Sequence, residues 1–457
     1  MDFKVAVLGG GPGGYTAAIR ASQLGLSVIL IEKDKLGGTC LNWGCIPTKA
    51  ILSCTDVLEK IKKSNEFGIK VENVSFDLAK IMQRKNGIVD SLVQGLDKLF
   101  KLRKIEVVRE FAKITGRNEI TTASGRKITA DNIVLATGSV PLVIPCFNID
   151  HKNVITSDDA LNLEEVPEKM LVIGGGVVGC EFSGIFSELG SKITIVEMLD
   201  YLLPTEDNQV SRTIQTAFKK KGIDFKLKTR VESVSVLKDN EVAVRFSDGT
   251  EEIFSKVLAA GGRSVNIKGN GIDTSGIELE NGRFVKINEF MQTNFLNIYA
   301  IGDITGKLML AHTASAQGIT AVSHIAGIKK ELDYDSIPSA IFTNPEIASV
   351  GKREQELKAD NVEYKVSRFS FAANGKAKGL GETDGFVKIL TDNTGETLLG
   401  AHIVGPHASD LLQELVIIKA NKLSIHKLIE AVHSHPTLSE CVLEAAEGIF
   451  KMSVHSV

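Results

Sequence analysis

The feature that most constrains this chain is a glycine-rich pattern that occurs twice. The first copy, Val5-Ala6-Val7-Leu8-Gly9-Gly10-Gly11-Pro12-Gly13-Gly14, is an apolar run broken by glycine. Helical periodicity follows from Tyr15 to Leu24, and a second apolar run, Ser27 to Ile31, ends at Glu32. This order predicts strand, turn, helix, strand. Gly9, Gly11 and Gly14 stand at the G-x-G-x-x-G positions, which permit the tight turn, let backbone approach a pyrophosphate and bring helix against strand. The helix N-terminus then faces the phosphates, and Glu32 is placed to accept hydrogen bonds from ribose hydroxyls.

The design returns at Met170-Leu171-Val172-Ile173-Gly174-Gly175-Gly176-Val177-Val178-Gly179, with a helical stretch through Leu189 and a strand from Lys192 to Val196 ending at Glu197. Glu197 lies 23 residues after Gly174, as Glu32 does after Gly9, so the chain carries two separate dinucleotide sites. An acid closing the second strand suits a free 2′-hydroxyl and repels a 2′-phosphate, which favours NAD over NADP. Lys192 stands at the wrong end of that strand to reverse the preference.

Each repeat ends alike, in a buried run closing on small residues: Ile133-Val134-Leu135-Ala136-Thr137-Gly138-Ser139 and Val257-Leu258-Ala259-Ala260-Gly261-Gly262-Arg263. Between them, Phe67 to Leu99 is charged at helical spacing, and Glu106 to Ile133 reads as a β-meander with turns near Gly116 and Ser124. Asn297 to Asp303 reads as a strand whose final aspartate holds a ribityl hydroxyl, against the ordinary alternative of a turn aspartate. Ala311-His312 opens a small-residue helix suited to a planar cofactor, returning the chain to the first domain. Beyond Pro338 come strands Ala340 to Val350, Tyr364 to Phe371, Gly385 to Thr391 and Thr397 to Val404, then helices Ala408 to Asn421 and Ile425 to Val432. The expected class is α/β: two Rossmann-like domains, 1–142 and 143–268, a segment 269–336 returning to the first, and an α+β module, 337–457.

Shortly after the first fingerprint lies Gly37-Gly38-Thr39-Cys40-Leu41-Asn42-Trp43-Gly44-Cys45-Ile46-Pro47-Thr48-Lys49. On a regular helix Cys40 and Cys45 are separated by a rise of roughly 7.5 Å, more than the roughly 4.4–6.8 Å between Cα atoms that a disulfide accepts. A disulfide here requires distorted backbone, which Gly44 permits and Pro47 promotes by interrupting helical hydrogen bonds. A reachable disulfide in such a turn is labile. The alternatives are two unrelated buried thiols or half of a metal site, but Cys54, Cys146, Cys180 and Cys441 form no second close pair, and no metal site emerges. Six cysteines in 457 residues fit a reducing compartment with a catalytic disulfide. Two nucleotides and a dithiol imply an electron relay.

A thiol relay needs a base, and His433-Ser434-His435-Pro436-Thr437-Leu438-Ser439-Glu440 supplies candidates. A carboxylate five residues beyond His435 is placed to hold its far nitrogen and fix the tautomer. His435 with Glu440 is the preferred dyad, His433 the alternative, and a plain turn histidine the bland reading.

These segments together carry a resemblance that runs nearly end to end: the chain resembles the dihydrolipoamide dehydrogenase branch of the FAD-dependent pyridine nucleotide-disulfide oxidoreductases. The resemblance implies FAD, tightly bound at one per subunit, on Gly9, Gly11, Gly14, Glu32, Thr39, Lys49, Ala136, Thr137, Gly138, Asp303, Ala311 and His312. It implies NAD on Gly174, Gly176, Gly179, Glu197 and Gly262, with catalysis by Cys40, Cys45, His435, Glu440, Lys49 and Glu181. Lys49 and Glu181 are expected to pair near the flavin, although Lys49 alone reads as a solvated helix charge. It further implies a homodimer in which His435 and Glu440 reach the other subunit's disulfide. The lipoyl group is then carried by a protein partner of a 2-oxoacid dehydrogenase complex or the glycine cleavage system. Trp43 sits at a variable position between the cysteines and is read as packing. Within the family the alternative is an NADPH-dependent disulfide or metal-ion reductase, against which the tail Lys451 to Val457 lacks a cysteine pair. Outside it, the alternative is a non-catalytic flavin-bearing assembly subunit.

A balance of 53 basic and 56 acidic residues, net charge −3, gives no basic footprint for nucleic acid. No run approaches the roughly 18 apolar residues of a membrane span, and the first strand starts within a few residues of Met1, leaving no room for a leader. The expectation is a cytoplasmic protein with no membrane partner.

Overall fold

The computed structural model describes residues 1–238 and 241–455, so the last two positions of the 337–457 module lie outside the described residues. The chain gathers into two compact units. The first is assembled from Met1–Val143, Ser157–Glu165 and Gly262–Leu332. Its sheet places five parallel strands in the order Glu106–Val108, Val28–Ile31, Phe3–Leu8, Lys127–Leu135, Ile298–Ala300. Successive residues of a strand point to opposite faces, and here both faces are covered. Ala6, Leu8, Ile29, Ile31, Ile133 and Leu135 pack into one core, while Val5, Val7, Val28, Leu30 and Val134 pack with Ala17, Ala21 and Ala321 into the other. That double burial is why these strands read as continuous apolar runs.

The expected meander is present: Ala112–Gly116, Glu119–Thr122 and the first half of Lys127–Leu135 pair antiparallel. Glu106–Val108 instead joins the parallel sheet as its edge. The charged stretch after Phe67 becomes helical only over Leu78–Leu102, where Asp77 caps the first turn by accepting from the Lys80 N–H.

The second unit comprises Ile144–Thr156, Val166–Gly261 and Asp333–Val457. Asp224–Lys226, Lys192–Val196, Lys169–Ile173, Lys256–Ala259 and Val154–Ile155 form its parallel sheet. Its C-terminal part is an antiparallel sheet in the order Ser339–Ile341, Ile347–Gly351, Leu398–Val404, Phe386–Asp392, Tyr364–Ser370. Helices Ala408–Ala420 and Glu440–Gly448 contribute Leu412, Leu415, Val442 and Ala445 to the core on that sheet. The fold class is therefore α/β with an α+β C-terminal module.

Three local expectations are corrected. The strand before Asp303 stops at Ala300, because Gly302 adopts φ +74° and its N–H turns to Gln317 Oε1 at 2.6 Å; Asp303 lies in the 3₁₀ turn that follows. The helix expected over Ile425 to Val432 is only His426–Ile429, and Val432 is 99% exposed, so its apolar side chain marks no buried face. Pro47 does not break the helix it sits in: it is the third residue of Cys45–Lys62, where its missing N–H has no intrahelical partner to lose.

Candidate active site

In both fingerprints the first and last glycines are demanded by the protein's own backbone. A Cβ on Gly9, which has φ +110°, would stand 2.2 Å from the Ala136 carbonyl oxygen, and one on Gly14 1.8 Å from the Gly9 oxygen. At Gly174, with φ +109°, and Gly179 the corresponding distances are 2.5 Å to Ala260 O and 1.9 Å to Gly174 O. The middle glycines behave differently. A Cβ on Gly176 would meet nothing within 4 Å, and one on Gly11 only the Gly38 Cα at 3.9 Å. Each middle glycine thus fronts open space at the head of a helix, Pro12–Gln23 or Val177–Glu188, whose N-cap offers no side-chain partner to the first N–H groups. Uncapped N–H groups and an open approach fit a pyrophosphate at both turns.

The ribose acids are held in advance. Glu32 accepts from Gly10 N at 2.6 Å and Asp34 N at 2.9 Å; Glu197 accepts from Gly175 N at 2.7 Å and Leu199 N at 2.9 Å. Around the first turn, Ala136 N donates to Leu8 O, Thr137 Oγ1 donates to Asn266 O at 2.6 Å, and Gly138 turns the chain with φ +66°. Ser139 Oγ donates to the Asp303 carboxylate, and Arg263 Nε donates to Ser139 Oγ at 2.7 Å while lying 3.9 Å from Asp303. Ala311 and His312 open the helix Ala311–Ile325 as expected from their spacing. Asn42 Oδ1 and Thr313 Oγ1 are buried without a hydrogen-bond partner among the described residues. With the open face of Gly11, these orphaned oxygens fit a bound polar cofactor in the first unit. Asn42, Ser139, Arg263 and Thr313 were not singled out from the sequence; all four lie within or beside the motifs, but only three-dimensional proximity distinguishes them. Gly262 belongs to the first unit, where its carbonyl accepts from Leu142 N at 3.0 Å.

The cysteine pair is resolved by a break between two helices. Gly38–Trp43 ends at Gly44, whose φ −144° and ψ −110° leave helical space, and Cys45–Lys62 begins at once. The break shortens the Cα separation of Cys40 and Cys45 to 4.7 Å, and their sulfurs form a disulfide. Asn42 Nδ2 fixes the short helix by donating to Leu36 O and Gly38 O, both at 3.0 Å. Cys45 is the first residue of an 18-residue helix with no side-chain N-cap, so the positive end of the helix favours its thiolate once the disulfide opens. The other thiols differ. Burial pushes Cys180 strongly upward and Cys441 up to about 12, which keeps both protonated and inert.

The two histidines of the C-terminal segment are separated by their hydrogen bonds. His433 has both ring nitrogens engaged, Nδ1 with Ala431 O at 2.9 Å and Nε2 with Glu414 at 3.0 Å. His435 is 80% exposed and binds Glu440 through Nδ1 at 2.8 Å, leaving Nε2 open. Glu440 also accepts from Thr437 N at 2.8 Å. Burial pushes its carboxyl up, but these two hydrogen bonds prevail and hold it below the usual range. An ionised Glu440 keeps the proton on Nδ1 and the lone pair on Nε2. Glu181 is buried in the helix Val177–Glu188 and accepts from Phe342 N at 2.9 Å. Lys49 lies on Cys45–Lys62, in the other unit.

Among the described residues no group of three His, Cys, Asp or Glu side chains is placed to hold a metal ion, and no helix is long and apolar enough to cross a membrane.

Comparison with known proteins agrees over the whole chain. Residues 3–318 match the pyridine nucleotide-disulphide oxidoreductase family model, and residues 337–446 match that family's dimerisation domain. The chain is similar to dihydrolipoyl dehydrogenase of Bacillus subtilis, at 39% identity covering 99% of both chains. It is 41% identical to dihydrolipoyl dehydrogenase of Chlamydia pneumoniae, covering 98% of this chain and 96% of that one. The crystal structure of LpdA from Mycobacterium tuberculosis superposes with a TM-score of 0.91 at 27% identity, covering 98% and 99% of the two chains.

Proposed function

The chain belongs to the pyridine nucleotide-disulphide oxidoreductase family, and from that premise we propose that it is a dihydrolipoyl dehydrogenase, oxidising protein-bound dihydrolipoamide with NAD⁺. The observation that carries this reading is the Cys40–Cys45 disulfide at the head of a long helix, beside a glycine turn built for a nucleotide. FAD, when bound in the first unit, supplies the two-electron link between the dithiol and NAD⁺. Gly9, Gly11 and Gly14 with the uncapped helix hold its pyrophosphate, Glu32 its ribose, and Thr39, Lys49, Ala136, Thr137, Gly138, Asp303, Ala311 and His312 line the remainder. Gly174, Gly176, Gly179 and Glu197 take NAD; the Glu197 carboxylate, held by Gly175 N and Leu199 N, repels the charge of a 2′-phosphate.

The thiol chemistry runs on the chain's own groups. His435 Nε2 takes the proton of one lipoyl thiol, and the thiolate attacks Cys40 Sγ, breaking the Cys40–Cys45 bond and releasing Cys45 as thiolate. The second lipoyl thiol then attacks the lipoyl sulfur of the mixed disulfide, closing lipoamide and displacing Cys40; its proton passes to Cys40 Sγ, while His435 keeps the first proton as imidazolium beside the Cys45 thiolate. Glu440 holds the imidazolium in place between these steps. In a homodimer joined through the C-terminal module, His435 and Glu440 of one protomer serve the disulfide of the other. Lys49, on the helix that Cys45 opens, lies beside the cofactor and tunes its potential. The lipoyl group arrives on a carrier of a 2-oxoacid dehydrogenase complex or the glycine cleavage system, in the cytoplasm.

The test is to mix FAD-loaded protein with dihydrolipoamide and either NAD⁺ or NADP⁺ and follow reduced nucleotide by its near-ultraviolet absorbance. Rapid formation of NADH, lost in Cys40→Ser, is expected. Oxidation of NADPH with glutathione disulfide or a metal ion, and none with lipoamide, would move the chain to the reductase branch. Turnover that survives Cys40→Ser would mark a flavin enzyme that does not use the disulfide, and no turnover in the parent with any of these substrates would leave only a flavin-bearing assembly role.

A further inference from the structure

The proposed chemistry leaves unused the most deeply buried charges in the molecule's second unit. Lys388, in the strand Phe386–Asp392, has no exposed side-chain surface. Its Nζ donates to both oxygens of Asp207, at 3.0 and 2.9 Å, and to Glu354 at 2.6 Å. Asp207 in turn caps the helix Asn208–Lys220, accepting from Gln209 N at 2.9 Å, and accepts from Glu354 N at 3.1 Å. The residues before it are fastened to the same C-terminal module: Arg353 donates to Thr205 O at 2.6 Å, Gln355 Nε2 donates to Glu206 O at 2.8 Å, and Ser349 donates to Glu206 Oε2 at 2.8 Å.

This fastened segment leads directly back to the second glycine turn. Leu203 holds φ +50°, a conformation that favours glycine, and its N–H donates to Gly175 O at 2.7 Å. The N–H of Gly175 donates to Glu197 Oε2, and Leu199 N, from the same loop, donates to Oε1. The ribose acid is therefore gripped at one oxygen by the glycine turn and at the other by the loop that Asp207 anchors. A buried ion cluster adds little net stability over apolar packing, since desolvation offsets most of its attraction. What it does supply is a fixed register: a carboxylate that both caps a helix and faces an ammonium has one position.

We propose that Lys388 and Asp207 are positioning residues for the nicotinamide dinucleotide: by clamping Thr205–Asn208 they set the Leu199–Leu203 loop and aim the Glu197 carboxylate at the ribose hydroxyls. The C-terminal module, through one lysine, thus sets nucleotide affinity at the second turn. This rests on the reading that the second turn takes NAD.

The test compares FAD-loaded parent with Asp207→Asn, which keeps the helix cap but loses the charge. Because an unpaired Lys388 is liable to destabilise that variant, a neutral triple variant (Lys388→Met, Asp207→Asn, Glu354→Gln) is measured beside it. ADP-ribose, which carries the ribose but no nicotinamide, is titrated calorimetrically; reduction by dihydrolipoamide is timed without NAD⁺; and KM for NAD⁺ is set against kcat. Both variants are expected to bind ADP-ribose about fivefold or more weakly, with KM for NAD⁺ raised, kcat nearly constant and reduction by dihydrolipoamide unchanged. Unchanged ADP-ribose affinity in either folded variant overturns the proposal, as does an equal loss of affinity and of reduction rate, which is the mark of general loosening. A parent that itself fails to bind ADP-ribose overturns the NAD reading, and the proposal with it, and is told apart because the variants play no part in it.

Discussion

The two glycine turns are near copies, and the difference between them lies in what each is given to hold. Gly9 and Gly174 share φ within a degree, and each first N–H donates to the neighbouring strand, to Ile31 O at 2.8 Å and Val196 O at 2.9 Å. Each second N–H grips an acid. The second carbonyl is where they part. Gly10 O accepts from Gly37 N at 2.9 Å, and Gly175 O from Leu203 N at 2.7 Å. Three residues beyond Gly37 is Cys40, half of the disulfide; three beyond Leu203 is Glu206, followed by Asp207 and its buried lysine. One turn is roofed by a redox group and the other by an electrostatic anchor. A duplicated scaffold has been specialised through the single segment laid on its middle carbonyl, while the nucleotide-binding geometry beneath stayed the same.

The comparison is broken most forcefully at the first roof. Cys40→Ser should lower NADH formation from dihydrolipoamide by a factor on the order of 10⁴ while NAD⁺ still binds the second turn; steady-state rates and a binding titration check both halves. Next come the shared glycines. Gly14→Ala and Gly179→Ala each force a Cβ to within 2 Å of a carbonyl oxygen, and each should cost about 1–3 kcal/mol, read as a fall in denaturation midpoint of similar size for the two turns. A large disparity would show that the scaffolds are less alike than their dihedrals.

The anchor of the second turn has a pH signature of its own. Burial pushes the Glu206 carboxyl up to about 7, against the opposing Ser349 hydrogen bond and Arg353 charge. A carboxyl whose proton is held more tightly in the folded state loses stability as pH rises from its ordinary value near 4.5 through about 7. Glu206→Gln should therefore raise the thermal midpoint at pH about 8 and change it little at pH about 5, a relief of about 1–3 kcal/mol. Equal midpoint shifts at both pH values would rule out this titration. The smallest effect on stability is expected at the open middle glycine: Gly176→Ala should stay within about 0.5 kcal/mol of the parent yet weaken NAD⁺ binding, because its Cβ enters only the space left for the ligand.

Much of this was legible in the chain because it depends on local spacing. The fingerprints, their acids and the cysteine pair announce themselves through glycine positions and period, and the break that brings Cys40 to Cys45 was foreseen: it falls at Gly44, and Pro47 sits in the first turn of the helix that follows. The histidine choice was legible in part: the spacing of Glu440 favoured His435, and the bonds to Ala431 and Glu414, which engage both ring nitrogens of His433, remove the alternative. Lys388 was invisible. A lysine in an apolar strand reads as a solvent-facing alternation, and its partner Asp207 lies 181 residues away. Asp303 was placed at a strand end because nothing local reveals that Gly302, one residue earlier, leaves the ladder to meet Gln317. Long-range polar partners are what periodicity cannot carry.

The first unit's three-part construction bears on how the chain is made. Ile298–Ala300 must pair with Lys127–Leu135, and Ala311–Ile325 must pack on Pro12–Gln23, where a Cβ on Gly318 would fall 2.6 Å from Gly13 O. The glycine turn at Gly9 leaves the ribosome well before the last part of its own unit, which is complete only when Leu332 has followed. At roughly 5–20 residues per second, the nascent turn waits tens of seconds with one helix neighbour and one strand missing. Cofactor loading at this turn consequently waits for the segment that ends at Leu332, and a chain truncated before Ala311 should emerge unable to load it at all.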